Sequence, residues 1–136
     1  MVKLKVRDLM RGEVVSIDAE KTVAEAAKFM VERGLGSLIV VEGGEPVGII
    51  TERDLTRRVV AKGLPLTTKV GEVASKPLIT IGPDETLLEA INVMKRNGIR
   101  RLGVKEGGKL IGVLSYADFL NNWYKVSKYL LIEVLS

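Results

Sequence analysis

The chain has no cysteine and no histidine. Their absence excludes disulfides, thiolate nucleophiles, Cys/His zinc sites and every histidine-based triad. Catalysis would have to rest on Asp, Glu, Lys, Ser or Thr, and no nucleophile–base pair stands out among them, so the sequence reads as a non-enzyme with no metal site. Aromatic residues make up only 4% and gather toward the C-terminus, which leaves no distributed stacking platform for single-stranded nucleic acid. No apolar run approaches the roughly 18 residues that span a bilayer. The opening "MVKLKVRDLM" alternates charged and apolar residues and lacks a signal-peptide core. A cytoplasmic protein with no membrane partner is the expectation.

Apolar bulk is present: 46% of 136 residues are hydrophobic, enough for one ordinary domain or two small halves sharing a core. The formal net charge of +4 favours an anionic partner, whether a phosphate ligand, nucleic acid or an acidic protein. The basic residues are interspersed with 17 acidic ones, as on a mixed solvated surface, which argues against nucleic acid.

The sequence repeats itself. Residues 6–55 align without a gap on 70–119, with fourteen identical pairs, among them Thr22/Thr86, Glu25/Glu89, Met30/Met94, Gly34/Gly98, Gly48/Gly112 and Asp54/Asp118. Average composition would give roughly three. In each copy a short β-branched run (Val14–Ile17, Leu78–Ile81) predicts a strand. A capping box, Thr22–Glu25 or Thr86–Glu89, opens a helix whose apolar face is Val23, Ala26, Ala27 and Met30, or Leu87, Ala90, Ile91 and Met94. Gly34 and Gly98 end those helices. Two strands then meet at a Gly-Gly turn, and a second helix follows, finishing over Thr56–Ala61 in the first copy. The fold class is α/β: two β-α-β-β-α copies, each too small to be stable alone, expected to pack as one pseudo-twofold module. Beyond them, Trp123, Val126, Leu130 and Val134 predict an apolar stripe on a C-terminal helix.

Both copies close on a matching motif, "VGIITERDL" (47–55) and "IGVLSYADF" (111–119). One reading of Thr51-x-x-Asp54 and Ser115-x-x-Asp118 is a further pair of capping boxes that need no ligand. The other is a phosphate-and-polyol site. Each motif follows a buried strand directly and opens a helix, where free N–H groups favour an anion. The hydroxyls can donate to phosphate and the carboxylates can accept from a ribose diol. Gly48 and Gly112, mid-strand, suit a close approach. Both readings stand at this point.

The segments "KVRDLM", "GLGSLIVVEGGEPVGIITERDL" and "GIRRLGVKEGGKLIGVLSYADF" resemble paired cystathionine-β-synthase (CBS) domains over residues 6–120. The resemblance implies CBS domain 1 at 6–62, CBS domain 2 at 70–125 and a helical tail at 126–136. It implies a regulatory sensor binding AMP, ADP or ATP in clefts between the repeats, with no required cofactor, forming a homodimer and signalling to an unknown effector protein. The alternatives it leaves are an S-adenosylmethionine module and a ligand-free structural or dimerisation module. Carried onto this chain, the resemblance gives Asp54 and Asp118 the ribose hydroxyls and Thr51 and Ser115 the phosphate. The site of Asp54, with Arg53, would include Leu78, Ile79, Thr80, Ile99, Arg100 and Arg101. That of Asp118, with Tyr116 and Ala117, would include Val14, Val15, Ser16, Leu35, Gly36 and Ser37. Val15 and Ile79 would pack on the base. With Arg53 and the Arg100–Arg101 pair, the Asp54 site is expected to be the more basic. Where the family often has proline after the positions of Leu38 and Leu102, this chain has Ile39 and Gly103.

Overall fold

The computed structural model describes residues 3–135, with side chains described through residue 132. The repeat is visible element by element. A short helix α1 (Val6–Leu9) precedes β1 (Ser16–Asp18), α2 (Val23–Arg33), β2 (Ser37–Glu42), β3 (Glu45–Thr51) and α3 (Glu52–Asp54), which runs into a π-helical stretch at Leu55–Val60. The second copy gives α4 (Val70–Val73), β4 (Thr80–Ile81), α5 (Leu87–Asn97), β5 (Arg101–Glu106), β6 (Lys109–Ser115) and α6 (Tyr116–Asn121), followed by α7 (Trp123–Leu135). The last helix of the first copy starts at Glu52, directly after the Thr51 of the motif, and runs on through Val60.

Local chemistry explains these boundaries. The Thr22 and Thr86 hydroxyls accept the N–H groups of Glu25 and Glu89, each at 3.1 Å, and so satisfy a free donor at each helix start. Gly34 and Gly98 end the same helices at φ +64° and +62°, a left-handed backbone that costs glycine little. Each crossover helix connects parallel strands, β1 to β2 and β4 to β5, and a tight turn then folds the third strand back antiparallel. The result is two three-stranded sheets, ordered β1-β2-β3 and β4-β5-β6. Their registers match: Val40 faces Gly48, Val104 faces Gly112, and each ladder shifts at the next residue.

The compact units do not follow the sequence copies. One unit is Val15–Ile79; the other joins the residues up to Val14 to those from Thr80 onward. Each unit is thus completed by the other copy's opening segment. In the 15–79 unit, α4 is fixed by Val70 N–H to the Lys21 carbonyl (2.8 Å) and Gly71 N–H to the Ala19 carbonyl (2.9 Å). Val70, Val73 and Ala74 then join a core of Ile17, Val23, Ala26, Met30, Leu38, Val40 and Ile50. In the other unit, α1 is fixed by Val6 N–H to the Glu85 carbonyl (3.0 Å) and Arg7 N–H to the Pro83 carbonyl (2.8 Å). There Val6 and Leu9 are buried, as are Leu87, Ala90, Met94, Leu102, Val104 and Leu114. The Arg7 guanidinium adds ion pairs to Asp84 (2.9 Å) and Glu106 (2.8 Å), and its hydrogen bond to Asp84 holds that carboxyl below the usual carboxylate range.

The stripe expected on the C-terminal helix is met at Val126, which is buried, and at Leu130, which is half-buried. Tyr129 is buried as well, whereas Trp123 is exposed; the Val134 side chain lies outside the described residues. Spacings of three and of four both fit a helical face, and from Val126 both steps, to Tyr129 and to Leu130, turn inward.

Candidate functional site

The ladder of the 15–79 unit brings one set of candidate residues to one end of its sheet. Ser37 lies opposite Thr51, Glu52 N–H donates to the Gly36 carbonyl (3.1 Å), and Ile39 N–H donates to that of Val15 (2.9 Å). Ser16 starts β1 beside Val15, and Leu35 packs half-buried under the end of α2. Asp54 is buried at the helix start just after this edge. Its Oδ2 accepts the Thr51 N–H at 3.0 Å, and the Thr51 Oγ1 accepts the Asp54 N–H at 3.0 Å, which completes a capping box. Its Oδ1 accepts the Ser75 hydroxyl at 3.1 Å and lies 3.8 Å from Arg58 Nε. Arg58 is itself anchored, donating from Nη1 to the carbonyls of Val73 (3.1 Å) and Ala74 (3.2 Å). Arg53 is exposed, and Leu78 and Ile79 follow Ser75, half-buried, in the same unit.

The other unit repeats the layout with different neighbours. Arg101 lies opposite Ser115, and Tyr116 N–H donates to the Arg100 carbonyl at 3.0 Å. The Arg100 guanidinium stands 6.0 Å from the centre of the Tyr116 ring. Thr80 pairs with Gly103, Ile99 and Val14 are half-buried, and Ala117 is exposed. Asp118 is as buried as Asp54, each 8% exposed. Its Oδ2 accepts the Ser115 N–H (2.8 Å) and, more loosely, the Ser115 hydroxyl (3.3 Å). Its Oδ1 has no protein donor among the described residues. No fully enclosed side-chain oxygen or nitrogen lacks a partner among the described residues, so this oxygen is not fully enclosed.

Thr80, Ile99, Arg100 and Arg101, expected with Asp54, belong to the unit of Asp118; Val15, Ser16, Leu35, Gly36 and Ser37, expected with Asp118, belong to the unit of Asp54. The basic pair therefore accompanies the second motif within its own unit. Gly48 and Gly112 are explained by the chain itself: a Cβ on Gly48 would run into the Ser75 carbonyl oxygen, and one on Gly112 into that of Arg11. Those backbones pair with the strands at Ile49–Ser75 and Arg11–Val113, so no ligand is needed to account for the glycines. Sequence reading missed Ser75 and Arg58. The signal was available: the offset that maps Asp54 onto Asp118 maps Ser75 onto Arg11 and Arg58 onto Asn122, two mismatches around an invariant carboxylate. No cluster of three or more acidic residues suited to a metal occurs among the described residues. No described helix is long and apolar enough to cross a membrane.

The duplicated β-α-β-β-α pattern with an aspartate after the third strand of each copy defines a class, and sequence comparison supplies its name. The CBS domain model matches residues 6–61 and 70–124, so the chain belongs to the CBS-domain family. It is 40% identical over 123 residues to an uncharacterized protein of Methanopyrus kandleri, covering 88% of this chain and 63% of that relative. Among solved structures, a conserved protein from Pyrococcus horikoshii superposes with a TM-score of 0.83 at 30% identity, covering 89% of this chain and 92% of that one. A CBS domain protein from Pyrobaculum aerophilum, complexed with AMP, superposes with a TM-score of 0.79 at 25% identity, covering 92% and 99%.

Proposed function

We propose that this chain is a non-catalytic regulatory module that binds an adenosine-containing ligand (AMP, ADP or ATP) through its two Asp motifs and passes ligand state to a partner protein or a second copy of itself. The observation that carries this reading is the pair of buried carboxylates placed immediately after buried strands, in a chain similar to one complexed with AMP. A ribose diol supplies two donors to one carboxylate, which matches an Asp whose oxygens sit at the edge of the sheet. On this reading the Thr51 and Ser115 hydroxyls meet the phosphate, and Val15 and Ile79 offer apolar surface to the base. Ligand binding alters the partner's state only so far as it favours one arrangement of the chain over another.

A thermal-shift panel of AMP, ADP, ATP, S-adenosylmethionine and NAD tests the reading. An adenine nucleotide at a hundredfold excess over its Kd is expected to add about 2.7 kcal/mol of stability. Replacing both aspartates together, Asp54→Asn with Asp118→Asn, is expected to abolish the shift. A ligand-free structural module is the competing reading, favoured by the capping bonds that each carboxylate already makes. It predicts no response to any ligand in the panel. A shift by S-adenosylmethionine alone would reassign the ligand and keep the site.

A further inference from the structure

The two motifs share their fold and burial but differ in what already holds the carboxylate. Both oxygens of Asp54 have donors: Thr51 N–H on Oδ2 and the Ser75 hydroxyl on Oδ1, with Arg58 Nε 3.8 Å from that same Oδ1. Among the described residues only Oδ2 of Asp118 has donors, and its Oδ1, which is not fully enclosed, accepts from none of them. The cause lies in the mismatched positions. In the unit of Asp118, the residue corresponding to Ser75 is Arg11, which pairs through its backbone with Val113. The residue corresponding to Arg58 is Asn122, whose amide donates instead to the Asp118 main-chain carbonyl at 2.7 Å. The same unit carries Arg100 over Tyr116, an exposed cation on the strand-start side of the motif. An open acceptor oxygen for a diol and a cation for a phosphate thus occur together in one unit.

Resting on the function proposed above, we propose that the motifs are unequal sites. Asp118 is the carboxylate that takes the sugar of a nucleoside phosphate, and Ser75 with Arg58 forms a latch that keeps Asp54 engaged. A ligand at Asp54 must compete with the Ser75 hydroxyl for Oδ1, whereas a ligand at Asp118 displaces no protein donor there. One charge-assisted hydrogen bond is worth about tenfold in affinity, which sets the scale of the difference.

Calorimetric titration of AMP into the full chain and three variants tests this. The wild-type chain is expected to show one tight site per chain. Asp118→Asn is expected to weaken that site about tenfold or more. Ser75→Ala removes the latch and is expected to strengthen a second site about tenfold, bringing stoichiometry toward two. Ser75→Ala combined with Asp118→Asn is expected to retain one site. Ser75 lies in the unit that lacks Asp118, so its gain of binding does not depend on whether Asp118→Asn folds well. Two equal wild-type sites, a tight site untouched by Asp118→Asn, or a Ser75→Ala isotherm identical to wild type would each overturn the inference while leaving nucleotide binding in place. Absence of heat with every adenine ligand and every form would remove the underlying reading and this inference with it.

Discussion

The unit of Asp54 and the unit of Asp118 are built to one plan, yet each has spent its non-repeated residues differently. In the first, Ser75 and Arg58 converge on the motif carboxylate; in the second, the extra charge goes to Arg7, which ties α1 to Asp84 and Glu106 far from the motif. The position corresponding to Arg7 is Gly71, packed so closely on Ala19 that a Cβ there would lie 3.0 Å from the Ala19 Cβ. What duplication retained is the backbone frame: register, caps, ladder shift and the close approach at Gly48 and Gly112. What it released is the set of side chains around the aspartates. Shared fold therefore does not make shared affinity.

The retained frame is where the largest effects are expected. Gly48→Ala and Gly112→Ala each force a methyl against a backbone carbonyl and should destabilise by about 2–3 kcal/mol, equally in the two units, as read by urea unfolding. A neutral Gly112→Ala would mean that the Arg11 backbone does not lie on β6. Next come Val6→Ala and Val70→Ala, at fully buried positions of the two exchanged helices, each expected to cost about 1–2 kcal/mol. A loss at only one of them would break the symmetry of the exchange. The released side chains should give smaller and one-sided effects. Arg58→Ala loses two hydrogen bonds to the Val73 and Ala74 carbonyls and should cost about 1 kcal/mol, while Asn122→Ala loses one; comparing them gauges how much the latch adds to its unit.

The smallest effect concerns pH. The Asp84 carboxyl is held low by the hydrogen bonds and charge of Arg7, so its folded value lies below its unfolded one. Its contribution is present above the ordinary carboxylate range and is lost as pH falls through the lowered value. Both partners are exposed, so the effect is small. Wild type and Asp84→Asn should differ in urea midpoint at neutral pH and converge in acid. A gap that widened in acid would contradict the assignment.

The order of elements was legible from local signals. Capping threonines, terminal glycines and the three- and four-residue apolar spacing placed α2 and α5, and the Gly-Gly pairs placed both hairpins. The exchange of opening helices was not legible. Val6 and Val70 are apolar whichever sheet they cover, and periodicity reports similarity between copies without saying which copy supplies the cover. The same limit misassigned Gly48 and Gly112: sequence shows that something must come close, not that it is the backbone of Ser75 or Arg11. Both aspartates were found from the motif, and the capping reading and the ligand reading each keep a foothold. Among the described residues, Asp54 has donors on both oxygens and Asp118 on only one. The Ser75 latch joins residues 21 apart in sequence, a contact that no local pattern encodes.

The most direct measurement is a crystal structure grown with millimolar AMP. The account predicts the ribose hydroxyls on Oδ1 of Asp118, with Ser75 still donating to Asp54. A bound nucleotide that leaves the Asp118 oxygen facing solvent, with both carboxylates touching only their own helix starts, would contradict it.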